Sequence, residues 1–176
     1  MKNLILAAMP IVALFSSPVL AQEAGDFTGV KATAIAGYDD FDQNGASVDG
    51  FAYGVALGYD RQTSNLVYGV ELEATESTTR IKNAPGRIEA GRDFYAGARL
   101  GIAASEKALV YIKAGYTNAR VSVPGFGGQN GDGYRVGGGV EYKLSDKIFT
   151  RAEYRFSNYE AGIERQQALV GMGFKF

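Results

Sequence analysis

Beyond residue 21 the chain is built on a period of two. Apolar residues recur at alternate positions in run after run of about ten residues, and within each run the charges keep to one parity. Successive side chains of an extended strand point to opposite faces, so the pattern dictates a sheet with one charged and one apolar side. No stretch sustains the 3.6-residue period of an amphipathic helix. The fold class is therefore all-β, with candidate strands at 27–38, 51–60, 66–75, 93–103, 109–117, 134–144, 148–157 and 165–176. Eight runs, each long enough for a tilted strand to cross a bilayer, predict an eight-stranded antiparallel up-and-down transmembrane β-barrel.

The charged parity includes Lys31, Asp60, Glu71, Glu73, Asp93, Arg99, Lys113, Arg135, Glu141, Lys143, Arg151, Glu153, Arg155 and Lys175, and the other parity holds no charge. Setting the phase strand by strand uses up eight of these fourteen agreements; the remaining six are independent, and all agree. The opposite parity reads Val30, Ala32, Ala34, Ala36 and Tyr38 in the first run, Tyr53, Val55, Leu57 and Tyr59 in the second, and ends on Met172, Phe174 and Phe176. Connections alternate in length: 39–50, 76–92, 118–133 and 158–164 are long, whereas 61–65, 104–108 and 145–147 are short. That rhythm predicts a meander with both ends on the short-turn side, its short turns facing the periplasm and its long loops the outside.

Alternation alone does not say which face is inside, because a soluble ligand-binding barrel shows the same period. Aromatic residues of the apolar parity gather near run ends, at Tyr38, Phe51, Tyr59, Phe94, Tyr116, Tyr134, Tyr142, Phe156 and Phe176, as two membrane girdles require. Glycines such as Gly37, Gly97, Gly115, Gly139 and Gly173 share the parity of the long charged side chains, which suits a narrow interior and not a solvated exterior. The start of the chain points the same way. Lys2, an apolar run over 4–15, then Ser16, Ser17, Pro18, Val19, Leu20 and Ala21 read as a signal peptide whose core is far short of the roughly 20 residues a membrane helix needs. The expected organisation is a signal peptide over 1–21 and one barrel domain over 22–176.

The run Gly171, Met172, Gly173, Phe174, Lys175, Phe176 resembles the terminal strand of Gram-negative outer-membrane barrels. The segments 54–60 (GVALGYD), 98–102 (ARLGI), 111–116 (YIKAGY) and 135–142 (RVGGGVEY) are similar to the small-barrel family of opacity proteins and of OmpA-like and OmpX-like membrane domains. The resemblance implies residence among outer-membrane lipid and lipopolysaccharide. It also implies insertion by the outer-membrane assembly machinery, with Phe174 and Phe176 in the terminal signal that the machinery reads.

With the charged face inward, an unpartnered charge would be very costly, so Lys31, Glu71, Glu73, Arg99, Lys113, Arg135, Glu141, Lys143, Arg151, Glu153 and Arg155 are expected to form a lumen ion-pair network. A narrow or gated pore is the alternative use of the same groups. Asp40, Asp42, Asn44 and Gly45 match the opening of a calcium loop, but Phe51 stands where the closing bidentate Glu is needed, so an acidic surface loop is the reading. The glycine-rich stretch 125–133 (GFGGQNGDG) follows Pro124 and precedes no helix, so it reads as loop and not as a phosphate cradle. The chain has no His and no Cys, which removes serine-histidine and cysteine-histidine catalysis, histidine and thiolate metal sites, and disulfides. No basic stripe follows a phosphate backbone, and neither nucleic-acid binding nor a cofactor is expected. The function expected is that of a membrane anchor displaying four extracellular loops to an unidentified ligand, with a passive pore or an adhesin as alternatives.

Overall fold

The structure is a computed structural model and describes residues 26–43, 46–78, 80–81, 88–123, 127–160 and 163–176. The expected signal peptide lies outside these residues. The strands are β1 (Gly29–Gln43), β2 (Ala46–Thr63), β3 (Leu66–Ser77), the two-residue β4 (Arg80–Ile81), β5 (Ile88–Ala103), β6 (Ala108–Val123), β7 (Gly127–Lys143), β8 (Ile148–Tyr159) and β9 (Ile163–Lys175). All pairings are antiparallel. β3 joins β5 directly and β1 joins β9, so eight strands close into a ring, with β4 a short addition to the edge of β5. Closure leaves no unpaired edge inside the bilayer, the condition for a sheet to span one.

The faces divide as the alternation predicts. Val55, Leu57, Val70, Leu72, Ile112, Val170 and Met172 face outward, and Lys31, Arg99, Arg135 and Arg155 are buried. Two girdles of exposed aromatics bound the apolar band: Tyr38, Phe51, Phe94, Tyr116 and Tyr134 at the long-loop end, and Tyr59, Tyr68, Tyr142, Phe174 and Phe176 at the short-turn end.

The short turns have a common chemistry. Ser105 and Ser145 each open a Ser-acid-Lys sequence, and each Oγ accepts from two amides: Lys107 (3.3 Å) and Ala108 (3.1 Å) in one turn, Lys147 (3.4 Å) and Ile148 (3.1 Å) in the other. The hydroxyl replaces partners that the ladder no longer offers where the chain reverses. The third turn places Ser64 at φ 58°, the left-handed conformation that a tight hairpin asks of its first central residue.

Much of the chain expected to be loop is ladder. β1 and β2 stay paired to Gln43↔Ala46, and β6 and β7 to Val123↔Gly127, well past the girdle residues Tyr38 and Tyr134. Backbone amides and carbonyls pair whatever the side chains are, so polar composition marks where the chain leaves the bilayer and not where it leaves the sheet. Asp40 and Asp42 consequently sit on extended backbone opposite Asp49 and Ser47, while Asn44 and Gly45 lie outside the described residues. Gly127–Gly133 of the glycine-rich stretch belong to β7 and its ladder with β6, whereas 125 and 126 lie outside the described residues.

Candidate functional site

Among the described residues, the lumen gathers chemistry-bearing side chains from every barrel strand. Its short-turn mouth is closed by Phe27, which is 1% exposed and packs with Val67, Ala103, Leu109 and Tyr111. The Phe27 amide donates to Gln62 Oε1 (2.8 Å), and the Gln62 amide donates to Thr28 Oγ1 (3.1 Å), which pins the segment across the mouth.

Above this stopper the charges stack in three groups. In the first, Lys31 Nζ lies 2.8 Å from Asp60 and 2.5 Å from Glu141, and Arg99 Nη2 lies 2.9 Å from each of the same two carboxylates. The register explains it: Gly69 stands between Asp60 and Arg99 on adjacent strands, and a Cβ there would collide with Asp60 Oδ1.

The second group surrounds Lys113. Its ammonium is 3.0 Å from Glu71, 2.5 Å from Glu73 and 2.8 Å from Glu153, while Arg151 pairs with Glu71 and Arg155 Nη1 sits 2.5 Å from Glu73. The three carboxylates have oxygens within 4.8 Å of one another, close enough to chelate a cation. The Lys113 ammonium contacts all three, so the cage is neutralised by the chain's own lysine and guanidiniums.

The third group lies toward the long loops. Asp93 accepts from Arg135, from Arg165 Nη1 (2.6 Å), from Thr117 Oγ1 (2.6 Å) and from the Tyr159 hydroxyl (3.0 Å). Arg165 then forks onto Asp39 through Nε (2.7 Å) and Nη2 (2.9 Å), the bidentate geometry that makes guanidinium pairs strong.

Among the described residues the buried charges are seven cations (Lys31, Arg99, Lys113, Arg135, Arg151, Arg155, Arg165) and seven anions (Asp39, Asp60, Glu71, Glu73, Asp93, Glu141, Glu153), so the interior is neutral. Asp60, Asp93, Arg165 and Asp39 are members that the expected ion-pair set does not include; Asp60 and Asp93 stand among the charges read on the inward parity, whereas Arg165 and Asp39 are not among them. Arg165 opens the last run on the parity of Lys175, and Asp39 lies one residue beyond the first run on the parity of Lys31. Lys143 and Lys175 stand apart from the network at the short-turn rim, where both ammonium groups donate to the Asp26 carbonyl, at 3.3 and 2.9 Å. Lys143 also lies over the Phe27 ring, 4.5 Å from its centroid. Their positions are the last inward ones of β7 and β9, and Phe27 has already ended the lumen there.

Inward aromatics fill what the charges leave. Gly97 leaves room for Tyr95, whose hydroxyl is 2.1 Å from where a Cβ would sit, and Gly173 does the same for the Phe149 ring. Phe174 and Phe176 face outward at the seam, with ring centroids 5.0 Å apart in an edge-on contact, and the Phe176 amide donates to the Val30 carbonyl (2.9 Å).

Comparison with known proteins places this architecture. The 25 kDa outer-membrane immunogenic protein of Brucella ovis is 30% identical over 136 residues, covering 73% of this chain and 65% of that protein. The chain thus matches a little under two thirds of that relative's length. The crystal structure of Neisserial surface protein A superposes with a TM-score of 0.68 at 20% identity, covering 85% of this chain and 98% of the other. Ail, the attachment invasion locus protein of Yersinia pestis, seen in complex with the heparin analogue sucrose octasulfate, gives 0.62 at 15% identity over 84% of this chain and 99% of the other. Both show the same fold. The model of the outer membrane protein beta-barrel domain matches residues 7–176, and the chain belongs to that family of outer-membrane barrels.

Proposed function

We propose that this outer-membrane protein is a sealed anchor: it holds its long hairpins outside the cell, conducts no ions through its lumen and catalyses no reaction. The observation that carries the reading is the neutral lumen, seven cations against seven anions among the described residues, buried and paired across strands. A barrel of eight strands is only just wide enough for its own side chains, and here those side chains are held to one another. The chain offers no Cys or His for covalent or acid-base catalysis, and each glutamate of the Lys113 cage is engaged by that lysine.

In this reading the short turns face the periplasm, residues 1–21 are a cleaved signal peptide, and lipopolysaccharide and the assembly machinery are the membrane partners. The β1–β2 and β6–β7 hairpins carry any extracellular ligand. The test of the seal is single-channel recording of the refolded protein in planar bilayers. A flat trace is expected; regular conductance steps would replace the anchor by a pore. Orientation has its own test, because the chain lacks cysteine. Asp132→Cys should react with an impermeant maleimide on intact cells, and Ser105→Cys should not.

A further inference from the structure

The outer wall carries a trough of about 980 Å³, at the upper end of the roughly 300–1,000 Å³ typical of ligand sites, and its lining follows the sheet register. One side is a single row of cross-strand partners, Arg61↔Tyr68↔Leu100↔Ile112↔Gly138↔Tyr154. The neighbouring row starts at Tyr59 and passes through Ala98 and Ala114 to Phe156. Its floor includes Ala98, Ala114 and Gly138, which add little side-chain bulk to the wall, and Tyr59, Tyr68, Tyr154 and Phe156 stand at its ends.

Register rows climb a tilted barrel. Five strand steps of about 4.8 Å at a tilt of about 40° raise the row by roughly 15 Å, half of a hydrocarbon core of about 30 Å. The trough therefore begins at the short-turn rim and ends near the bilayer centre, the reach of one acyl chain of one leaflet. Its low end carries Arg61, exposed and without a carboxylate among the lining residues. Among the described residues Arg61 is the one charged side chain on an outward strand position at this end of the barrel; Glu76, Arg92, Arg120, Asp132 and Glu164 all lie toward the long loops.

We infer that the trough is a binding site for an anionic glycerophospholipid of the leaflet on the short-turn side. Its phosphate is held by Arg61 beside the Tyr68 ring, and an acyl chain lies over Ala98, Ala114 and Gly138. Guanidinium matches phosphate through paired N–H donors, and a smooth apolar furrow fixes a chain that annular lipid would otherwise leave mobile.

Native mass spectrometry of the refolded, detergent-released protein tests this with phosphatidylglycerol and phosphatidylcholine of identical acyl chains. One phosphatidylglycerol should be retained at about tenfold lower concentration than phosphatidylcholine. Arg61→Gln should remove that preference, and Ala114→Phe, which fills the floor from outside the lumen, should weaken both lipids. Should Ala114→Phe not fold, Gly138→Val fills the same floor, since a Cβ there meets only the Tyr111 carbonyl at 3.3 Å and Ile112 at 3.7 Å. Equal retention of the two lipids, a preference that survives Arg61→Gln, or a lipid-free dimer occupying the trough would each overturn the assignment.

Discussion

Arg99 and Lys143 carry the same charge on the same parity, yet they should respond very differently to truncation. Arg99→Ala leaves Asp60 and Glu141 buried with Lys31 as their remaining close partner, and should destabilise the barrel by about 3 to 5 kcal/mol. Lys143→Ala removes a rim contact to Asp26 and should shift stability by no more than about 0.5 kcal/mol. Urea midpoints in lipid vesicles compare the two; similar values would mean a wet, screened lumen. Ser64 allows a prediction in the other direction. Its left-handed backbone is one that glycine adopts without strain, so Ser64→Gly should stabilise the turn by about 0.5 to 1 kcal/mol in the same assay. At this scale parity told which side chains face inward but not where the lumen stops. Lys143 obeys the alternation and still falls outside the network, because the stopper Phe27 is held across the mouth by its amide bond to Gln62, whose own amide donates to the neighbouring Thr28. Inward Tyr95 and Phe149 were hidden for a related reason: an aromatic on the charged parity is explained only by the glycine that leaves room for it, Gly97 two residues along the same strand or Gly173 on the strand beside it.

Single strands carry the depth information. Val140 lies outward near the middle of the membrane portion of β7, and Leu144 lies just past the end of that strand, next to the girdle residue Tyr142. Val140→Arg should cost about 2 to 4 kcal/mol and Leu144→Arg about 0 to 1, because the second guanidinium reaches the headgroups. Refolding both into liposomes and measuring denaturant stability decides it, and equal penalties would contradict a bilayer around this strand. The membrane portions of all eight strands were legible in the alternation, since burying one face imposes it. Their extensions beyond Tyr38 and Tyr134 were not, because above the bilayer both faces of a hairpin meet water and the pattern has nothing to record. The Asp39–Arg165 pair lies where those two regimes meet, which is why neither member was drawn from the sequence into the network.

At the scale of the whole barrel the decisive contact is the seam. Phe176 reaches back to the Val30 carbonyl and places its ring against Phe174, on the outward face where the resemblance to terminal strands put an assembly signal. Phe176→Ala should lower the amount of barrel assembled in cells while changing the stability of the refolded protein by less than about 1 kcal/mol. Quantitative blotting of outer-membrane fractions against urea titration separates the two; undiminished assembly would remove the signal role. Lys31 pairs with Lys175 across the same seam, joining the beginning of the sheet to its end. Every other pairing in the ring joins barrel strands that follow one another along the chain, but this one has the longest sequence separation the fold contains. Until β9 arrives, β1 presents a row of unpaired amides and carbonyls that any extended chain can extend, itself or another copy. The vulnerable quantity in this protein is therefore time: its hazard is the interval between the making of the first strand and the arrival of the last, and shielding that one edge protects the whole barrel.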